Sequence, residues 1–192
     1  MAEHPSGVLL VNLGTPDAPE TPEVRRYLAE FLSDPRVLDI PWLARMALLH
    51  GVILRTRPAQ SAEAYRKVWT EAGSPLLVHG RNLAAGVAEA LGPEFRVALG
   101  MRYGNPSIAS AVDSLLREPL SRLIVLPLFP QWSSAATESA LVKVRETIAQ
   151  RPDAPPVIEL DDFYDDPGFI EAFAQVARPV LDEFRPDHVL FS

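Results

Sequence analysis

Short apolar runs alternate along the chain with longer stretches in which apolar residues recur every three or four positions, and the alternation predicts parallel βαβ units. Residues 8–13, VLLVNL, read as a first strand closed by Gly14-Thr15-Pro16. Thr21-Pro22-Glu23 opens a helix with a cap residue, a proline in the first turn and an early acid, and Val24, Tyr27, Leu28, Phe31 and Leu32 form its core stripe. Gly73-Ser74-Pro75 repeats the start signal for a helix to about Leu91, stopped by Gly92-Pro93. A second strand is expected over 95–99, a helix capped by Asn105-Pro106 runs to about Arg117, and a third strand covers 123–126. A helix from Ser134 to Gln150, a fourth strand over 157–160 and a helix opened by Asp166-Pro167 follow. Pro179 is expected to kink or shorten that helix because it lacks an amide donor. Residues 187–192 read as a fifth strand, with no following helix to cover it, so the polypeptide looks interrupted rather than finished.

The segment RLIVLPLFPQWSSAATESALV, residues 122–142, joins a strand to a helix through a proline-framed, hydroxyl-rich turn. In open α/β sheets ligands bind beyond the carboxyl ends of the strands, where the next helix offers free N–H groups. Gln131, Trp132, Ser133, Ser134 and Thr137 fall at that rim. The indole offers a stacking face to a large flat ligand and the hydroxyls and amide orient polar edges; a helix cap beside a core tryptophan is the plainer reading. Residues 41–54, PWLARMALLHGVIL, are apolar on nearly every face yet too short to span a bilayer. The segment reads either as a buried helix or as an exposed lip carrying Trp42, Leu43, Met46, Leu49 and Ile53, flanked by Arg45, Arg55 and Arg57.

Composition narrows the classes. With 192 residues, 47% of them hydrophobic and 22% charged, one substantial core is within reach. A formal charge of −7 opposes nonspecific nucleic-acid binding. Cysteine is absent, which removes disulfides and thiolate-held zinc and fits a reducing cytosol. The opening MAEHPSGVLLVNLG has neither the basic start nor the long apolar run of a secretory signal.

No self-sufficient catalytic or metal constellation stands out. His4, His50, His79 and His188 are far apart, and Gly14-Thr15-Pro16 lacks the spaced glycines of a dinucleotide fingerprint. Asp161, Asp162, Asp165 and Asp166 would attract a divalent cation, but they lie beside a helix start where acids are favoured in any case.

Four segments in order, VLLVNLGTP (8–16), GMRYGNP (100–106), LPLFPQWSSAAT (126–137) and HVLFS (188–192), resemble the ferrochelatases, which insert ferrous iron into a porphyrin to complete haem. RTRPAQSAEAYRKVWTEAGSPL, residues 55–76, also looks like that family, so the resemblance is collinear over almost the whole chain. It implies an α/β, Rossmann-like three-layer domain with a parallel sheet flanked by helices, the first of two similar domains. Residues 1–168 would form the chelatase-like domain and 169–192 a connecting helix and the first strand of the second. The family's metal-facing histidine follows a pattern like FS-x-H-x-x-P, and this sequence stops at Ser192. The histidine and its partner glutamate would then lie farther on, leaving no catalytic residue and no metal ligand in the chain, which is expected to be a fragment, inactive alone.

By the same resemblance Leu13 faces the macrocycle, Arg102 and Tyr103 lie across the pocket floor, and Gln131, Trp132, Ser133 and Ser134 line its side. Arg55 or Arg57 would pair with a propionate, as would the Ser74 hydroxyl. Plainer roles stand beside these: Leu13 as core, Arg102 in a buried ion pair and Ser74 as a cap, the last favoured. Protoporphyrin IX is preferred over coproporphyrin, because the coproporphyrin branch carries tyrosine where Leu13 stands. The implied partners are protoporphyrin IX, ferrous iron as substrate and the remaining C-terminal half, with peripheral membrane contact through the 41–54 lip and a cytoplasmic location. No cofactor is expected in the chain; the iron–sulfur cluster that some members hold through cysteines near their other end would fall outside it. A related tetrapyrrole chelatase and a noncatalytic tetrapyrrole carrier stay open as alternatives.

Overall fold

The computed structural model describes residues 4–190. Four parallel strands, β1 (Ser6–Thr15), β2 (Phe95–Gly104), β3 (Arg122–Pro127) and β4 (Val157–Glu159), form one sheet in the order β2-β1-β3-β4. β1 is central, with Val8 opposite both Val97 and Ile124. Its first six residues are all buried, the pattern of a parallel strand covered on both faces.

Two apolar layers sandwich the sheet. On one face Leu9, Val11, Leu123 and Val125 pack with Ile108, Val112, Leu141 and Val144 from α5 (Ile108–Leu115) and α6 (Ser139–Ala149). On the other, Val8, Leu10, Leu99 and Met101 meet Leu77, Ala84 and Val87 of α4 (Pro75–Leu91). The result is a three-layer, Rossmann-like α/β domain. The strand order reverses between β1 and β3, which puts the ligand crevice of such folds at the carboxyl ends of those strands.

Between β1 and α4 the chain builds α1 (Thr21–Ser33), α2 (Trp42–Leu48), a π-helical turn (Leu49–Ile53) and α3 (Leu54–Val68). An aromatic chain fastens them. Tyr27 lies 6.0 Å from Phe31 and meets Tyr65 edge-on at 6.4 Å, while Phe31 meets Tyr103 at 5.1 Å, so α1 is tied to both α3 and β2. Burial raises the hydroxyl pKa of both Tyr27 and Tyr65.

Several expectations need correction. β2 runs five residues beyond 99, so Arg102 and Tyr103 sit on a strand. Two glycines let β1 and β2 approach closely there: Gly104 has φ +79°, where a Cβ would lie 2.6 Å from the Thr15 carbonyl oxygen, and a Cβ on Gly14 (φ +116°) would lie 1.8 Å from the Tyr103 carbonyl oxygen. The cap of α5 is Ser107, whose hydroxyl accepts from the Ser110 amide at 3.1 Å, whereas Asn105 donates to Asp17. The helix expected from Ser134 begins as a π-helical turn (Ser134–Glu138) before α6.

α7 (Pro167–Phe184) passes through Pro179 without being shortened; the carbonyl of Gln175, four residues earlier, is at an exposed position where water can serve it. Residues 187–190 form no strand: among the described residues no strand pairs with them, and Phe191 and Ser192 lie outside the described residues. α7 has no buried residue and is held through Phe169, whose ring meets Phe163 edge-on at 5.2 Å.

Candidate functional site

The turn after β3 presents Gln131, Trp132, Ser133 and Ser134 to solvent, with Trp132 53% exposed. Its shape is locally determined. The Leu128 amide donates to the Val11 carbonyl at 2.7 Å, which extends the pairing with β1. Ser133 caps the following π-helical turn by accepting from the Ala136 amide at 3.2 Å, and the buried Thr137 hydroxyl accepts from the Ser133 amide at 3.4 Å. The Ser133 and Thr137 side-chain oxygens thus accept from backbone donors, while the indole is left facing out.

Leu13 is half-buried at the carboxyl end of β1, its amide turned to the Asn12 side chain at 2.8 Å. Arg55 and Arg57 are exposed on α3. Ser74 occupies the cap position of α4 and is buried, yet its hydroxyl makes no cap hydrogen bond. Two depressions, of about 700 and 610 Å³, open at the amino ends of the strands, the first around Ser6, Phe95 and Arg122. Ser134 lines a smaller one of about 330 Å³ with Arg36, Asp39 and Glu138.

The lip divides in two. Trp42 and Leu43 are 63% and 74% exposed, and Leu48 and Val52 are exposed on the same segment, but Leu49 is buried and Met46 and Ile53 are half-buried. Arg45 does not flank an exposed surface: it is buried, donating through Nη1 to the carbonyls of Leu38 (3.2 Å) and Ile40 (3.1 Å). Those carbonyls belong to the loop between α1 and α2, and the guanidinium ties that loop to α2.

Arg102 and Tyr103 enter a buried polar network rather than an open floor. Asp34, just after α1 and 5% exposed, receives Arg102 Nη2 at 2.6 Å, Tyr103 Oη at 3.0 Å and Ser139 Oγ at 2.5 Å on Oδ2, and the Arg36 amide at 2.8 Å on Oδ1. Arg102 Nε also donates to Ser139 Oγ at 2.7 Å, and its guanidinium lies 4.3 Å from the Tyr103 ring centre. Burial by itself would raise the Asp34 pKa; hydrogen bonds from Ser139, the Arg36 amide and Tyr103, with the Arg102 charge, outweigh it and hold the carboxyl below its ordinary 3.8. Burial pushes the Tyr103 hydroxyl up to about 12. Asp34 and Ser139 were not legible as site residues: 105 positions separate them, and the one hint is a lone acid ending an amphipathic helix.

Asp166 accepts from the Phe169 amide as the cap of α7, and among the described residues no group of three or more His, Cys, Asp or Glu could hold a metal ion. No helix among them is long and apolar enough to cross a membrane.

The family model described as Ferrochelatase matches residues 5–192. The chain belongs to the ferrochelatase family. Similar proteins include the ferrochelatase of Coxiella burnetii (strain RSA 493 / Nine Mile phase I), 48% identical over 186 residues, which are 97% of this chain and 51% of that protein. Ferrochelatase 2 of Shewanella oneidensis is 45% identical over 97% of this chain and 58% of its own length, and the ferrochelatase of Legionella pneumophila (strain Corby) 46% over 97% and 55%. The chain thus spans about half the length of the curated relatives it matches. Within a ferrochelatase framework, Leu13, the 41–54 segment and the Gln131–Ser134 turn all lie along the stretch that the family match covers.

Proposed function

We propose that this chain forms one wall and the lip of a porphyrin cleft, in a ferrochelatase that inserts ferrous iron into protoporphyrin IX. The observation that carries the reading is the family match from residue 5 to 192, running through an exposed tryptophan turn at the carboxyl ends of a reversed-order parallel sheet. A porphyrin resists metallation because its nitrogens lie nearly coplanar and two carry protons. A wall that binds a distorted macrocycle better than a flat one lowers that barrier.

In this reading Trp132 stacks on the macrocycle, Leu13 supplies an apolar contact, and Gln131, Ser133 and Ser134 orient its polar edge. Arg55 or Arg57 pairs with a propionate, and the buried Ser74 hydroxyl, without a cap bond, is available for the same task. Arg102 and Tyr103 support the wall from behind through Asp34. Proton acceptance from the pyrroles is assigned to the half of the relatives' length that this chain does not span.

The same reading takes residues 1–168 as the first of two similar domains and 169–192 as the connection to the second. Supporting it, α7 carries Ile170, Val176, Val180 and Phe184 exposed along its length. Trp42, Leu43, Leu48 and Val52 make the lip a peripheral membrane contact on the cytoplasmic side, with iron delivered as substrate. Anaerobic metalloporphyrin formation, followed by absorbance, tests the assignment. The chain joined to its C-terminal half is expected to turn over, and the 192-residue chain is not. Comparable turnover by both would overturn the placement of the proton acceptor.

A further inference from the structure

Four donors converge on Asp34 from three separate parts of the fold. The Arg36 amide belongs to the loop that leads from α1 to the lip, Arg102 and Tyr103 to β2, and Ser139 to the first turn of α6, five residues after Ser134. Asp34 itself stands eight residues before Trp42. A second, looser strut joins the same two regions: Arg36 Nε lies 3.7 Å from Glu138, in the π-helical turn. The lip base and the tryptophan turn are thus fastened to each other through one carboxylate, with β2 as the fixed third point.

We infer that Asp34 is a positioning residue, which sets the spacing between the 41–54 lip and the 131–138 turn across the mouth of the cleft. It touches neither surface that would meet a macrocycle; it acts through Ser139 and the lip backbone. The chemistry suits a strut. An ionised carboxylate accepting short bonds from a guanidinium and two hydroxyls is stiffer than apolar packing, because each bond is directional and buried away from competing water. Ser139 is the economical part of the network. Its one hydroxyl gives its proton to Asp34 and accepts from Arg102 Nε, so losing it loosens two of the three elements together.

This inference rests on the porphyrin reading for its purpose, but not for its geometry, and the test separates the two. The sequence has no cysteine, so Ala44→Cys and Ala135→Cys, both at exposed positions, give a uniquely spin-labelled chain whose lip-to-turn distance distribution is read by electron spin resonance. Asp34→Asn and Ser139→Ala are each expected to broaden that distribution. In unlabelled chains the same variants should weaken protoporphyrin IX binding at least tenfold, while Ser139→Thr restores both readouts. Arg151→Ala, which removes a distant ion pair to Asp113, serves as the stability control and should lower the melting temperature without broadening the distance.

If Asp34→Asn does not fold, Ser139→Ala carries the comparison alone. An unchanged distance distribution in the folded variants overturns the positioning role, whatever happens to binding. Broadening in Arg151→Ala as large as in Ser139→Ala would overturn it too, by showing a general loss of stability. Failure of the unsubstituted chain to bind protoporphyrin IX, with the distance still broadened by Ser139→Ala, would sink the porphyrin reading and leave the strut standing.

Discussion

The lip offers a test in which folding and ligand contact make opposite demands on the same side chains. About a third of Trp42 and a quarter of Leu43 is covered in the fold. At about 1.5–3 kcal/mol for fully burying a large apolar side chain, Trp42→Ser with Leu43→Ser removes roughly 1–2 kcal/mol of folding stability. For a chain of this size that is a fall of about 3–6 °C in Tm. The uncovered remainder, more than 60% of each residue, has on the order of 3 kcal/mol to give to a macrocycle or a bilayer, or about 100-fold in affinity. Thermal melts, porphyrin titrations and vesicle sedimentation on the same double variant separate the two. A Tm drop well beyond 10 °C with unchanged uptake and unchanged vesicle binding would show that the segment is core.

Three further outcomes follow from individual positions. In the two-domain protein proposed above, Leu13→Met should be near neutral, since it keeps an apolar contact of similar volume, whereas Leu13→Tyr adds bulk and a phenol and should shift preference toward coproporphyrin; identical steady-state kinetics of the two variants with both porphyrins would remove Leu13 from the cleft. Gly14→Ala, which puts a Cβ against the Tyr103 carbonyl at a left-handed backbone position, should cost more than about 3 kcal/mol and show as failure to accumulate folded chain by circular dichroism. Because the Asp34 carboxyl is held below its ordinary value, its contribution to stability is present above about pH 4 and lost as pH falls through its folded value. The Tm of the unsubstituted chain should therefore fall more steeply in acid than that of Asp34→Asn, and parallel acid limbs would contradict the network.

The parts of the fold legible in the sequence are those whose signals are local. Thr21-Pro22, Ser74-Pro75 and Asp166-Pro167 mark helix starts because proline costs nothing where the amide has no helical partner, and each helix begins within a residue of its signal. The continuous apolar run of β1 announces a central parallel strand for an equally local reason. What depends on distant partners was not legible. The second strand read as ending at Leu99, and its extension to Gly104 is set by pairing with β1, where a Cβ on Gly104 would meet the Thr15 carbonyl oxygen. Arg45 read as a basic flank because its two carbonyl partners lie in a loop without a pattern of its own. Arg102 read as pocket floor with a buried ion pair as the plainer role, and the partner of that ion pair, Asp34, lies 68 positions away. The exposed turn from Gln131 to Ser134 was the part of the candidate site whose local structure the sequence described best, since the caps that shape it lie within five residues.

Amide hydrogen exchange of the 192-residue chain during a protoporphyrin IX titration bears most directly on the claim that its carboxyl-end surface is a porphyrin wall. Saturable binding is expected, with protection at residues 41–54 and 131–134, and Trp132→Ala should weaken it at least tenfold. Absence of saturable binding, or protection confined to the larger depression at the amino ends of the strands around Ser6, Phe95 and Arg122, would contradict it.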